Sequence, residues 1–326
     1  VKKNFSKSKS TFNFFLSNKN IILYQVSFTF STPGKMSTPK YLFLYPKGGL
    51  TDTLFVINSC FQYAKKYNRI VVIVRADKWI EDGISYYIQF DDPCIFKGSI
   101  QDIDIKNCTY FPADIVSPFD IDSVWCNETD GYKMMNKSTG EYSLCSINFD
   151  TVYDEDIIIY STCYGGVPRD LIPVMKFSPF LIEEYQRRMH LLGHDYLSLH
   201  IRNTDRVSNI ESFLEEHGHI INHSSIIFLA TDDYKTIQYM FEKYGSGKIK
   251  HFSKITDNRG NNMHYYYNRE ELSNREMVSD AIIDLLMLAS AKAYIFSNSE
   301  SSYSLLAQHL YKNPSLLQNL ISLEKT

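Results

Sequence analysis

A chain of 326 residues, 44% hydrophobic and 22% charged, is long enough for two domains of ordinary size and has the composition of a globular protein with a sizeable core. Its formal net charge of −3 gives no basic field for general nucleic-acid binding. A membrane span is excluded as well, because no stretch reaches the run of about 18 apolar residues that a span needs.

Residues 1–35 are rich in Lys, Ser, Asn and Phe, and their longest apolar stretch, residues 21–30, is broken by Gln25 and Ser27. Such a segment makes a poor signal peptide and a poor anchor. With Met36 just before the first clean strand, residues 1–35 are expected to be a leader that takes no part in the fold. The matching expectation for location is cytoplasmic, with a luminal or Golgi location left open. Five N-x-S/T sequons, at Asn4, Asn107, Asn127, Asn136 and Asn222, matter only in that second case. The six cysteines, Cys60, Cys94, Cys108, Cys126, Cys145 and Cys163, are never closer than 14 residues and form no C-x-x-C. That pattern argues against a zinc or redox site and for isolated buried thiols, disulfides being the alternative in a luminal protein.

Residues 41–45, Tyr-Leu-Phe-Leu-Tyr, read as a strand buried on both faces. A turn over 46–52 follows, and Thr51 or Asp52 is the expected N-cap of a helix over 53–67 with Leu54, Ile57, Phe61 and Ala64 along one stripe. Asn68 ends that helix and residues 69–74 form the next strand, which makes a βαβ opening. Gly48 and Gly49 would let backbone approach a ligand at the helix N-terminus, or serve the turn alone.

The stretch from 75 to 165 is harder to read. Trp79, Tyr86, Tyr87, Phe90 and Phe96 suggest one more helix and strand, whereas 102–153 is polar and irregular. Three D-x-D pairs occur, Asp102/Asp104, Asp120/Asp122 and Asp154/Asp156. Carboxylates so spaced can hold Mg²⁺ or Mn²⁺ against a diphosphate, although a chain with 37 acidic residues produces such pairs by chance. Residues 157–160 read as a strand, and 180–191 as a helix with Leu181, Tyr185 and Met189 on one side.

From residue 196 the pattern sharpens. A strand over 196–201 delivers His200, Arg202 and Arg206 into a turn rich in Asn, Thr, Asp and Ser. Open α/β sheets present ligand-binding groups in this way, at the carboxyl ends of strands. Arg202 supplies a fork of donors that matches phosphate oxygens, His200 a ring that stacks or hydrogen-bonds, and Asp205 a carboxylate that holds the loop or orients an arginine. A buried strand histidine beside a surface Arg–Asp pair is the plainer reading of the same residues. A helical stretch over 210–217 and a strand over 226–230 follow. Thr231 is expected to cap a helix running to about residue 244, with Asp232 and Asp233 in its first turn. Residues 248–252 read as a short strand and 257–268 as a polar loop. A long helix over 274–292 places Asp280 and Asp284 four apart on one face, close to an apolar stripe. The strand over 293–296 ends in Ser297-Asn298-Ser299-Glu300-Ser301-Ser302-Tyr303-Ser304 before a helix over 305–311. That hydroxyl-rich turn is either a phosphate cradle or a capping segment.

Three of these pieces, in this order, resemble GDP-fucose-dependent fucosyltransferases of the α1,2, α1,6 and protein O-linked group. His200-Ile201-Arg202-Asn203-Thr204-Asp205-Arg206 looks like that group's H-V-R-R-T-D-K signature, and Ala230-Thr231-Asp232-Asp233 like the A-T-D-D of the α1,6 branch. The segment from Asp284 to Ser304 is similar to the D-L-x-L-M…N-S-x-F-S segment of the α1,2 branch. The Gly48-Gly49-Leu50 opening also looks like that branch's start. Together these motifs cover most of residues 41–74 and 196–311.

The resemblance implies an α/β fold of the GT-B kind, with two Rossmann-like domains facing across a cleft. Residues 36–190 would be the acceptor side and 191–326 the nucleotide-sugar-binding domain. It implies inverting, metal-independent transfer of fucose from GDP-fucose, the donor substrate, to a glycan or other hydroxyl acceptor, with no cofactor. Carried over residue by residue, His200 would lie near the nucleotide, Arg202 would clamp the diphosphate, and Asp284 would bond the guanine edge. Ser299, Ser301 and Ser302 would lie by the phosphates, and Asp232 and Asp233 would organise the site.

The chain departs from the pattern in three places. Asn203 stands where the signature has its second Arg, Thr51-Asp52-Thr53 replaces the G-N-Q after the opening glycines, and Ile210 fills a slot that holds Glu in the α1,6 branch. Glu211, one position later, is the expected base, with Asp52 next in line. Two other readings stay open: a transferase that uses a different nucleotide sugar with a D-x-D metal, and a non-catalytic nucleotide-sugar-binding protein on the same fold. Either way, the tips at 200–206, 231–233 and 297–304 are expected to meet in one pocket.

Overall fold

The computed structural model describes residues 39–74, 80, 82–115, 125–127, 133–205, 208–255 and 273–322. The expected leader, the polar loop over 257–268, Trp79, Arg206 and the Asp120/Asp122 pair therefore lie outside the described residues.

Two four-stranded parallel sheets organise the chain. The first begins with β1 (Lys40–Pro46), continues through α1 (Leu50–Tyr67) into β2 (Arg69–Ile73), and returns much later as β4 (Tyr110–Phe111) and β8 (Ile157–Thr162). Its strand order is β2-β1-β8-β4. Tyr41 pairs with Ile70 on one side and Ile157 on the other, so β1 is central, and both its faces are covered, Leu42 and Leu44 entering one apolar cluster and Phe43 and Tyr45 another. The stripe on α1 packs down onto this sheet, with Leu54, Ile57, Phe61 and Ala64 all buried. Asn68 closes α1 in the left-handed conformation, at φ 50°.

Between β2 and β8 the chain forms α2 (Ile84–Tyr87), β3 (Ile88–Phe90) and a three-stranded antiparallel sheet of β5 (Trp125–Asn127), β6 (Lys133–Asn136) and β7 (Tyr142–Leu144). The polar stretch that looked irregular in sequence thus holds short strands. After β8, β9 (Met175–Phe177) pairs with β3, and α3 (Pro179–Leu192) leads into the second half.

The second sheet has the order β12-β11-β10-β13. It comprises β10 (Leu197–Ile201), β11 (Ile227–Thr231), β12 (Ile249–Lys250) and β13 (Ala293–Phe296). The helices are α4 (Ile210–Glu216), α5 (Gly218–His223), α6 (Tyr234–Tyr244), α7 (Asn274–Ala289), α8 (Ser302–Lys312) and α9 (Pro314–Ile321). One continuous apolar core joins α1, β8, α3, α7 and α8, through residues such as Ile57, Ile158, Tyr185, Leu286 and Leu306. No helix among the described residues is long and apolar enough to cross a membrane.

Two expected helix caps move. Asp233, not Thr231, caps α6: its carboxylate accepts the Lys235 and Thr236 N–H groups, while Thr231 stays in β11. At α1 the cap is Gly49, and Asp52 sits in the first turn, where its Oδ2 accepts the Gly49 N–H at 3.0 Å. At α6 the carboxylate is the stronger acceptor at a positive helix end, whereas at α1 no side chain caps and Asp52 reaches back to the Gly49 N–H.

Asn58, buried in α1, fixes the segment that follows β8. Its Oδ1 accepts the N–H groups of Asp170 and Leu171 at 3.0 and 2.9 Å. Asn58→Ala would strand both donors, and is expected to cost about 2–4 kcal/mol, seen as a lower urea midpoint with an unchanged slope.

Candidate functional site

Parallel register puts the ends of β10, β11 and β13 side by side. His200 pairs with Ala230 on one flank and Phe296 on the other, and Ile201 with Thr231. The turn after β10 is then pinned to both neighbours. The Arg202 N–H donates to Ser297 Oγ at 3.1 Å, and the Ser208 hydroxyl donates to the Arg202 carbonyl at 2.6 Å. On the opposite flank Asp232 accepts the Asn203 N–H at 2.9 Å and the Thr204 hydroxyl at 2.6 Å.

These tips line one cavity of about 350 Å³. His200, Arg202, Asp205, Thr231, Asp232, Asp284, Ser301 and Ser302 all contribute to its wall. So do Gly49 and Asp52 from the start of α1 and Cys163 from the end of β8. The cavity therefore lies at the carboxyl ends of both parallel sheets, where polar groups can gather without breaking a strand. Of the residues nominated from sequence, Gly48, Glu211, Asp233 and Ser299 do not line it. Gly48 lies behind the wall: a Cβ there would come 2.6 Å from Cys163 Sγ, and its φ of +88° suits glycine. Glu211 is exposed in the first turn of α4. Ser301 caps α8, its hydroxyl accepting the Ser304 N–H, so the serine-rich turn is both a cap and part of the cavity wall. Buried thiols were expected, and Cys60 and Cys145 are buried, but Cys94 and Cys108 are half-buried and Cys163 is exposed in the wall.

The Arg202 guanidinium is held by Asp205, with Nε and Nη2 donating to Oδ1 at 3.1 and 2.7 Å, and lies 3.8 Å from Asp232. Burial works against ionisation of Asp205, but the Arg202 charge and its hydrogen bonds hold that carboxyl below its usual range. Burial raises Asp232 instead, against Arg202 and the Asn203 and Thr204 donors. The His200 ring is buried, with Nδ1 2.6 Å from Ser304 Oγ and the Tyr303 ring 5.0 Å away. Burial, then the nearby Arg202, pushes its pKa down to about 3, so the imidazole is neutral.

The opposite part of the wall carries Ser253, Lys254, Met277, Asp280, Ala281 and Asp284. Asp284 Oδ2 accepts the Ser253 hydroxyl at 2.7 Å, and Oδ1 lies 3.5 Å from Nη1 of Arg188. Arg188 belongs to α3, is buried, and also pairs with Asp280 and with Glu184. Burial and then the Asp280 charge push Asp284 up to about 7, with Ser253 and Arg188 opposing the rise. Sequence reading missed Arg188, Ser253, Lys254, Glu300 and Cys163. Arg188 alone left a signal, since it sits on the face of α3 that also buries Leu181, Tyr185 and Met189.

A third junction joins the two sheets' helices. A Cβ on Gly165 would collide with the Ser302 hydroxyl and the Asp52 carboxylate, so the first turns of α1 and α8 meet against this backbone. Among the described residues, no group of three or more His, Cys, Asp or Glu is placed to hold a metal ion. The D-x-D pairs Asp102/Asp104 and Asp154/Asp156 lie away from the cavity; Asp104 accepts the Lys106 N–H and Asp156 the Thr109 N–H and hydroxyl.

No family model matches the sequence, and no curated protein does. Solved structures match in three dimensions. The fucosyltransferase NodZ from Bradyrhizobium superposes with a TM-score of 0.58 at 15% identity, over 84% of this chain and 94% of that one. The chain has the fold of NodZ. NodZ co-crystallised with GDP, an α1,6-fucosyltransferase, gives a TM-score of 0.55 at 14% identity, over 84% of this chain and 93% of that one. The apo form of POFUT1 gives 0.51 at 10% identity, over 87% of this chain and 98% of that one. At such identities the likeness is one of fold, a mixed α/β chain with parallel sheets.

A raised carboxyl pKa destabilises the folded state once the group ionises. The Asp284 contribution is therefore fully present below the unfolded value of about 4 and is lost as pH rises through about 7. Asp284→Asn removes that slope. Its thermal midpoint is expected to gain on the wild type between pH 5 and pH 8; a constant difference between the two proteins would show that Asp284 ionises normally.

Proposed function

We propose that this chain is a glycosyltransferase that moves fucose from GDP-fucose to a hydroxyl of a glycan or other acceptor, with inversion and without a metal ion. The observation that carries the proposal is the meeting, in one cavity on a NodZ-like fold, of Arg202, the N-terminus of α8 and the buried carboxylate of Asp284. NodZ itself has been crystallised with GDP and soaked with GDP-fucose. On this reading the chain is arranged as GT-B enzymes are, with residues 36–190 on the acceptor side and 191–326 holding the donor.

Each residue then has a task. Asp284 takes the guanine edge. Arg202 and the free N–H groups at the start of α8 meet the diphosphate charge, which grows as the bond to the sugar breaks. Asp205 and Asp232 keep the Arg202 fork in place. Neutral His200 lies against the nucleotide, braced by Ser304. The acceptor oxygen bonds to the fucose anomeric carbon, the carbon–phosphate oxygen bond breaks, and GDP leaves with the electron pair. The acceptor's proton needs a base. Asp52 lines the cavity and Glu211 does not, so the role falls to Asp52 in this proposal.

Arg202→Ala is expected to lower kcat with saturating GDP-fucose by about 100-fold, roughly 3 kcal/mol of transition-state stabilisation. Unchanged turnover would remove the clamp. Asp52→Asn is expected to slow transfer by about 10²–10⁴-fold while Glu211→Gln leaves it near the wild-type rate; the reverse order would return the base to Glu211. Turnover that disappears in excess EDTA would favour a metal-dependent transferase.

A further inference from the structure

We propose that Arg188, which does not line the cavity, is the positioning residue that fits this site to guanine, because it holds Asp284 as an oriented carboxylate. The inference rests on the donor reading above and adds the device that makes the base choice.

An arginine on the apolar face of a helix is costly unless its charge is matched. Arg188 is matched several times over. Its Nε donates to Glu184 Oε1 at 2.8 Å, Nη2 pairs with Asp280, and Nη1 reaches Ser253 Oγ at 3.4 Å and Asp284 Oδ1 at 3.5 Å. Glu184 is also held by Arg187, at 2.6 and 2.7 Å, so two guanidinium groups here face three carboxylates. One guanidinium thus stands behind two carboxylates that line the cavity, and this buried corner is one positive charge short. The Lys254 ammonium does not make up the difference, being engaged by Glu276 at 2.9 Å.

That deficit faces the cavity. Asp284 spends one lone pair on Ser253 and turns one oxygen to Arg188, which leaves acceptor capacity on both oxygens. Guanine presents two adjacent donors, the ring N–H and the amino group, and suits a fixed carboxylate. Hypoxanthine lacks the amino donor, and uracil flanks its single N–H with carbonyls, which an anion repels. A protonated Asp284 would turn one of its acceptors into a donor and lose this selectivity. Burial and the Asp280 charge, one turn away on α7, oppose its ionisation, while the Ser253 hydroxyl and Arg188 from α3 favour it; Tyr303 from α8 also faces it. His251 and Lys254, after β12, interact with Asp280.

Equilibrium binding of GDP, IDP and UDP to the full chain from pH 5 to 9 tests the inference. The wild type is expected to favour GDP over both, with affinity rising through a midpoint as Asp284 ionises. Arg188→Gln is expected to move that midpoint up by about one pH unit or more, to weaken GDP about tenfold at pH 7, and to narrow the GDP:IDP ratio. Asp280→Asn removes the competing carboxylate and is expected to move the midpoint down. A brace that merely staples α3 to α7 would change thermal stability and leave the midpoint and ratio alone. Equal midpoints and ratios in the wild type and every variant that folds would overturn the inference, and Asp280→Asn supplies that comparison should Arg188→Gln fail to fold. A wild type that binds none of the three nucleotides would instead overturn the donor reading itself.

Discussion

A parallel strand covered on both faces has room for polar side chains only where it ends. β10 is the clearest case: Leu197, Leu199 and Ile201 are buried, and its polar members, Ser198 and His200, are each satisfied by a neighbour. Everything charged is postponed to the turn beyond Ile201. Because β11 and β13 run in register with β10, their own polar ends arrive at the same level, and the cross-bonds from Asp232 and Ser297 lock the three turns together. The cavity follows from sheet topology before any side chain is chosen for chemistry.

The same constraint explains which parts of the molecule were legible in sequence. Doubly covered strands are unbroken apolar runs, so β1, β2, β8, β10, β11 and β13 could be placed within a residue or two. The small sheet of β5, β6 and β7 was opaque because strands of three or four residues with one polar face show no period; Ser143 is buried there while its neighbours Tyr142 and Leu144 are exposed. Cap positions were misjudged by two or three residues, since sequence shows which side chains can cap but not which reaches the N–H groups of the first turn. Within the cavity, the groups supplied by strand ends were visible. Cys163, just past β8, was missed; Ser253 in the wall and Arg188 behind it depend on packing between distant segments, and only Arg188 betrayed itself, as a charge on a buried helix face.

The cavity's charge needs explaining for a site proposed to take a diphosphate. Asp52, Asp205, Asp232, Asp280, Asp284 and Glu300 line it beside Arg202 and Lys254. The carboxylates are not equivalent. Asp205 and Asp232 are partners of Arg202, Asp280 and Asp284 are partners of Arg188, and Asp52 bonds the start of its own helix. Most of the negative charge is therefore committed to holding cations or backbone in place. What the donor would meet is polarised by position: acceptors near α7 for a base, and N–H groups with a guanidinium near α8 for phosphates.

Asn203 shows how the departure from the fucosyltransferase signature is absorbed. A second arginine at this position would add positive charge beside Arg202. Here the side chain turns away from the cavity instead: Nδ2 donates to Asp233 and Thr236 at 2.9 and 3.2 Å, and Oδ1 accepts the Ser208 N–H at 3.1 Å. The residue ties the turn after β10 to the cap of α6, work that an acceptor-free guanidinium could do only in part. In the proposed role, rigidity of the turn would stand in for extra charge. In a preorganised site that exchange need not weaken stabilisation of a departing diphosphate, because donors that cannot relax away from the developing charge lose nothing to reorganisation. In the proposed role Arg202 would meet the leaving-group charge without a second arginine beside it, held by Asp205 at 2.7 and 3.1 Å and with Asp232 at 3.8 Å.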